Sequence, residues 1–232
     1  MKIVSWNCNG ALRKKLGVLK TLQADLCIIQ ECEDPARCPD SEYKEWADNY
    51  LWVGTNKNRG LAIFAKKEIL LEKIDLDAGR LELFIPCVVA NRIALLAVWT
   101  RQAYSPNFRY IGQLWKYLQQ HREFLKQKEA AVIGDLNSNT QWDEWDRWWN
   151  HSDVVRELQE LGLKSLYHYA KGEEYGKEQT PTFFMYRRNT NSYHIDYAFL
   201  SEALLKEATL EIGLPIDWIE HSDHMPLIIG NI

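Results

Sequence analysis

The sequence predicts an α/β protein, a four-layer α/β/β/α sandwich of two facing mixed sheets with helices outside. Three observations lead there. Residues 2–6 and 25–30 are apolar runs flanking a stretch, 11–23, whose leucines at 12, 16, 19 and 22 recur at helical spacing. A strand–helix–strand unit of that length implies a parallel pair with a right-handed crossover. The second half of the chain repeats the alternation, which assigns one sheet to each half. No linker, repeat or low-complexity segment divides the chain, so residues 1–232 are read as a single domain within the size range of a large sandwich.

Taken in order, residues 32–49 are polar and contain proline, a loop with room for one helical turn. Strand candidates follow at 52–53, 60–65, 81–85 and 92–99, separated by turn-rich segments. Residues 108–128 are the longest helix candidate, with Ile111, Leu114, Trp115, Leu118 and Leu125 in rough helical register. Ala130 to Ile133 is a β-branched apolar strand. His151-Ser152-Asp153 reads as an N-cap cluster before a helix over 154–161, with Gly162 as its stop. Strands are expected at 180–186, 194–200, 210–213 and 225–230, with a helix at 201–207.

A net charge of −4 supplies no global basic field for non-specific duplex binding, although a local groove can be basic on an acidic protein. The cysteines (Cys8, Cys27, Cys32, Cys38 and Cys87) are odd in number and scattered through apolar runs, which fits reduced thiols better than a disulfide framework. Cys32 and Cys38 lack the CxxC or histidine partner of a zinc site. The opening MKIVSWNCNG has no apolar signal core, and no run approaches membrane-spanning length. A cytoplasmic monomer with no membrane contact and no obligate protein partner is expected.

Polar residues collect where strands end. Val132-Ile133-Gly134-Asp135-Leu136-Asn137-Ser138 places Asp135 and Asn137 two apart, so they project together from an extended chain. Asn7 and Asn9 repeat that spacing after the first strand, and Glu31 closes the second. Each has a plainer reading: Gly, Asp, Asn and Ser are turn formers, and Glu31 alone is an ordinary surface carboxylate. Asp196 is different, since it lies in an apolar run and a buried carboxylate needs a partner. Asp223-His224 precedes another apolar run. Together the set supplies carboxylate and amide oxygens for a hard divalent cation, a means of positioning water, and a donor for phosphorane charge. Neither GxSxG nor a P-loop is present.

The ordered segments WNCNG (6–10), QE (30–31), GDLNS (134–138), HIDYAF (194–199) and SDHMPL (222–227) resemble the endonuclease/exonuclease/phosphatase superfamily over nearly the whole chain. The resemblance implies that all five gather at one end of the two sheets. It implies Glu31 as principal magnesium ligand, with Asn7 beside the metal and Asp223 as a second metal-proximal carboxylate; manganese is a substitute cation. Asp135 resembles the residue that orients or deprotonates water, Asn137 the phosphate-binding amide, and His224 the transition-state donor held by Asp196. Asn9, and His194 where many members carry arginine, are assigned to the substrate phosphate. The family's Tyr-x-Pro-Asn-like turn is displaced here to Tyr104. A subgroup of small bacterial members matches best.

The expected function is magnesium-dependent phosphoester hydrolysis, with nucleic acid as substrate; a small phosphorylated metabolite and a silent binding module are the alternatives. Residues 141–149 (QWDEWDRWW) bear on that choice. Trp142, Trp145 and Trp149 have the spacing of one side of a short helix, which reads either as a lid packed on the sandwich or as a surface for substrate. In the second case Arg147 and Trp148 offer a phosphate contact and a stacking platform, favouring single-stranded substrate.

Overall fold

The computed structural model describes every residue of 1–232 except Tyr104, Pro106 and Asn189. In chain order the first strands are β1 (Ile3–Asn7), β2 (Leu26–Cys32), β3 (Tyr50–Asn56), β4 (Arg59–Ala65), β5 (Leu71–Lys73), β6 (Phe84–Val89) and β7 (Ile93–Trp99). The others are β8 (Ala130–Asp135), β9 (Leu163–Ser165), β10 (Phe183–Phe184), β11 (Ser192–Tyr193), β12 (Asp196–Ser201), β13 (Thr209–Ile212) and β14 (Leu227–Gly230). The helices are α1 (Leu16–Thr21), α2 (Ser41–Trp46), α3 (Ile111–His121), α4 (His151–Glu160), α5 (Leu166–Lys171), α6 (Glu202–Leu205) and α7 (Pro215–Trp218).

β1 and β2 pair in parallel, as the strand–helix–strand unit requires. The first sheet runs β13-β14-β1-β2-β4-β3 and the second β5-β6-β7-β8-β12-β9. The expectation of one sheet per half of the chain is therefore corrected. β14 returns to pair antiparallel with β1, while β5 to β7 join the second sheet. Alternation along a sequence reports the order of strands and helices; the choice of sheet is made by long-range pairing, which leaves no local periodicity.

Three apolar layers result, and period-two alternation sorts residues among them. Ile28, Ile63, Leu95, Ala97 and Ile133 fill the space between the sheets. Leu96, Val98, Val132 and Phe199 face outward onto Ile111, Leu114 and Leu118 of α3 and Val154 and Leu158 of α4. Val4, Trp6, Cys27 and Ile29 face the other way, onto Leu16 and Leu19 of α1, Tyr43 of α2 and Trp218 of α7.

The strand expected at 180–186 is only β10, followed by a 3-10 turn at Met185–Arg187, and the one expected at 81–85 begins at Phe84. Two further segments depart from the periodic reading. The expected helix over 11–23 is split at Lys15, between a 3-10 turn at Leu12–Lys14 and α1. The tryptophan-rich segment is not a helix beyond a 3-10 turn at Thr140–Trp142, so its stripe does not form one face. Asn150 accounts for this: its side-chain amide donates to the carbonyls of Glu144 and Arg147, and its Oδ1 accepts from Glu144 N–H. Those bonds replace the helical ladder locally.

Candidate active site

In the antiparallel pairing of β8 with β12, Asp135 lies directly opposite Asp196. Gly134, the penultimate residue of β8, has φ +152°, and a Cβ there would sit 1.8 Å from the Val98 carbonyl oxygen of β7. No other residue fits there, and this explains the glycine ahead of the aspartate. Asp135 accepts the Asn137 backbone N–H at 2.8 Å and the Asn137 side-chain amide at 2.9 Å; Asn137, past the strand end at φ +44°, meets it through a turn and not through extended alternation.

Asn7 comes from the facing sheet and joins these groups. Its Nδ2 donates to Asp135 at 2.9 Å and, less closely, to Glu31 at 3.4 Å. Glu31 is the extra residue of a bulge between Gln30 and Cys32, with φ +64°. The bulge turns its carboxylate out of the regular pleat toward the site. Glu31 Oε2 is buried without a hydrogen bond; the Arg59 guanidinium lies 2.5 Å away as an ion pair, outside hydrogen-bond geometry.

His224 Nδ1 bonds Asp196 at 2.9 Å, and both side chains are buried. The C-terminal loop carrying His224 is fastened to β1. Trp6 donates to the His224 carbonyl, and the Ser222 hydroxyl donates to the Asn7 carbonyl while accepting from His224 N–H. Thr182 Oγ1 accepts the backbone N–H groups of Ile195 and Asp196, fixing the start of β12.

These groups bias one another's protons. Burial raises the Asp135 carboxyl, the facing Asp196 raises it further, and His224 and Asn7 only partly oppose this, leaving it at about 7. For His224 burial acts downward, but Asp196 and Asp135 overcome it and carry the imidazole up to about 10. At neutral pH the site therefore pairs a carboxyl near its midpoint with an imidazolium.

Among the described residues, one trio of His, Cys, Asp or Glu brings its ligand atoms within 4.8 Å of one another: Asp135, Asp196 and His224. Within the trio His224 Nδ1 is bonded to Asp196, whereas Asp135 lies beside that pair and takes its hydrogen bonds from Asn7 and Asn137. Glu31 joins the cluster through Asn7. Asp223 lies outside the trio; its carboxylate meets the Ser222 hydroxyl at 3.5 Å and acts on His224 through charge. Asn9 adopts φ +50° and gives its N–H to the Asn7 side chain.

His194 lies between β11 and β12, and its ring is buried against Tyr167 and Tyr197 with Nδ1 on the Thr180 carbonyl. Tyr104 lies outside the described residues. Trp148 is 62% exposed and edge-on to Trp149.

Three hollows adjoin one another along this face. One of about 260 Å³ shares Arg101 and Gln102 with a second of about 290 Å³, which contains Glu31, Arg59 and Asn137. The second shares Tyr110 and Asn137 with a third of about 450 Å³, which contains Arg109, Arg147 and His151. Arg59 and His151 were absent from the sequence-based site. Arg59 becomes visible only through the β2–β4 pairing, whereas His151 was read as part of a helix cap.

Residues 4–224 match the profile of the Endonuclease/Exonuclease/phosphatase family, and the chain belongs to that family. A search of curated proteins finds no match. Among solved structures, the 3'-5' exonuclease NExo from Neisseria meningitidis is similar, with a TM-score of 0.72 at 20% identity covering 99% of each chain. An AP endonuclease from Archaeoglobus fulgidus gives 0.68 at 19% identity, covering 99% of this chain and 98% of its own. Truncated TDP2 from Caenorhabditis elegans gives 0.68 at 13% identity, covering 98% and 96%. At these identities the likeness is one of fold. The protein is thus a hydrolase of the endonuclease/exonuclease/phosphatase superfamily, a family that is generally dependent on divalent metals.

Proposed function

We propose that the protein is a magnesium-dependent phosphodiesterase that cleaves nucleic acid, with manganese as a substitute cation. The observation that carries the reading is the junction at Asn7. One amide links Glu31, a half-buried carboxylate whose Oε2 makes no hydrogen bond and faces Arg59, to Asp135, which lies beside the bonded pair Asp196 and His224. An unsatisfied, largely buried carboxylate oxygen suits a hard divalent cation, so Glu31 would hold the metal, with Asn7 beside it and Asp223 near it. The cation supplies charge neutralisation at the phosphate.

The residues of the chain divide the remaining work. Asp135, near its midpoint at neutral pH, takes the proton of a water held with Asn137 as that water's oxygen forms the new P–O bond. His224 presents Nε2 to the phosphate while Nδ1 stays on Asp196. It stabilises the phosphorane charge and gives its proton to the leaving oxygen as the old P–O bond breaks. Asn137 and Asn9 bind the phosphate. The arginines along the connected hollows follow the backbone of the strand, and Trp148 offers a stacking face. The structure of the 3' phosphatase NExo from Neisseria bound to a product DNA hairpin supports nucleic acid as the ligand class. Five buried free cysteines favour a reducing, cytoplasmic setting.

The third hollow, about 450 Å³, is also of small-molecule size, which favours a phosphorylated metabolite as the second reading. A panel of DNA, RNA and small phosphoesters, assayed with magnesium, manganese and chelator, decides. Oligonucleotide cleavage abolished by chelator is expected, whereas turnover confined to small esters rejects the nuclease reading.

A further inference from the structure

The third hollow holds hydrogen-bonding groups that the hydrolytic steps leave unused. His151, the first residue of α4, lines it, is only 1% exposed, and has no partner on either ring nitrogen. Its ring is fixed against Tyr197, with centroids 4.9 Å apart. The backbone amides of His151 and Ser152 are taken by the Asp143 carboxylate at 2.9 and 3.2 Å, so an anion is not the natural occupant of this helix end. Arg147 is tethered by Nη2 to the Trp142 carbonyl at 2.7 Å, and its buried Nε has no partner. Buried polar atoms of this kind are costly unless a ligand or water satisfies them.

The protonation of His151 narrows the ligand. Burial pulls its pKa down to about 3, so the ring is neutral at working pH. A neutral imidazole offers one N–H donor and one acceptor, and it is matched by a group presenting both. A phosphate diester presents acceptors alone. A nucleobase edge presents donors and acceptors side by side, and Trp142 and Tyr110 expose aromatic faces at the rim. Asn137 lines both this hollow and the one holding Glu31, which places it next to the scissile phosphate.

We propose that this hollow is a subsite for the nucleobase of a nucleotide adjacent to the scissile phosphate, read by His151 and stacked on Trp142 or Tyr110, with Arg147 at its rim left to the backbone phosphate. It rests on the nucleic-acid reading above and adds a base requirement to it.

The test is binding of a short single-stranded oligonucleotide, with chelator present to prevent cleavage, and of a set in which one base at a time is replaced by an abasic tetrahydrofuran residue. At one position the loss of the base weakens wild-type binding about tenfold, the effect of losing one or two neutral hydrogen bonds with their partners left buried. His151→Phe keeps the ring and removes the nitrogens; it abolishes that difference and leaves the affinity for the abasic oligonucleotide unchanged. In the wild-type protein the His151 ring-nitrogen NMR signals move with the intact oligonucleotide and stay in place with the abasic one, which needs no variant to fold. Uniform affinity across the set, or base discrimination retained in His151→Phe, overturns the subsite while the nuclease reading stands. Absence of any oligonucleotide binding overturns that reading and the subsite with it.

Discussion

Glu31 differs from the other acids of the site in its backbone as much as in its charge. A glutamate at φ +64° carries strain of about 1–3 kcal/mol, and such strain persists where the surroundings enforce it. Here the β2 bulge does so and leaves Oε2 unsatisfied. Glu31→Gln is expected to weaken magnesium binding in calorimetric titration by orders of magnitude, with the fold kept; wild-type affinity in that variant removes Glu31 from the metal role. Arg59 presents its charge to the same oxygen, and its side chain is half exposed. Arg59→Ala should therefore tighten magnesium binding and change folding stability little, since exposed pairs contribute about 0–1 kcal/mol. Looser binding in that variant means that Arg59 supports the carboxylate and does not compete for it. Asp135 and His224 set the pH dependence. Catalysis needs the first ionised and the second protonated, so kcat/KM should rise through about pH 7 and fall through about pH 10. Asp196→Asn should draw the alkaline limb to lower pH, and an unmoved limb breaks the coupling. The sign for stability follows from the same shifts. Both pKa values are raised above their unfolded values of 3.8 and 6.5, so the stabilisation is full below those and is lost as pH rises through about 7 and about 10.

At the scale of elements, β8 is the strand on which the site depends, and Gly134 is its narrowest point. With a Cβ placed 1.8 Å from a backbone oxygen and φ at +152°, Gly134→Ala should cost on the order of 3 kcal/mol, read as a lowered urea midpoint. A midpoint within error of wild type would mean that β7 yields easily. Part of this strand was legible beforehand, as a short apolar run closed by Gly134 and Asp135; Asn137 meets Asp135 through a left-handed turn at φ +44° and not through the extended alternation expected. That Asp196 needs a partner was legible because a carboxylate inside an apolar strand has few physical outlets; that the partner is His224 came from the family resemblance and is seen in their hydrogen bond. Other features left no such signal. The burial of the His194 ring depends on a long-range contact with Tyr167 of α5, and the collapse of the 141–149 stripe depends on hydrogen bonds from Asn150, a residue outside the stripe. Periodicity registers apolar faces; it does not register a side chain that caps a loop from beyond its end.

Across the whole molecule, the site is assembled from the two ends of the chain and its middle. Asn7 is held by Ser222, 215 residues away, and by Asp135 of the other sheet. The same assembly brings Arg59, Arg101, Arg109 and Arg147 to one line of connected hollows on a chain whose net charge is −4. A narrow line of arginines, interrupted by Glu31, Glu82 and Asp143, on an acidic body suits a single strand better than a duplex, which would set its second backbone against the unfavourable field beyond it. The tryptophans add to this: Trp142 and Trp149 pack on Tyr193 and Phe108, while Trp145 is 96% exposed and Trp148, edge-on to Trp149, is 62% exposed, so these last two present aromatic surface to solvent. Stacking on such a face is worth roughly 1–3 kcal/mol per base and is available only to bases out of a duplex. Single-stranded oligonucleotide should accordingly be cleaved faster than the same sequence in duplex. Trp148→Ala should raise KM more than it lowers kcat, because the ring contributes to binding before and during the chemical step alike. If four phosphates meet the four arginines, the slope of log affinity against log salt should be about −3 for a single strand. Equal rates on both forms, or cleavage confined to abasic sites in duplex, would place the substrate's second strand on the protein and reject the single-strand path.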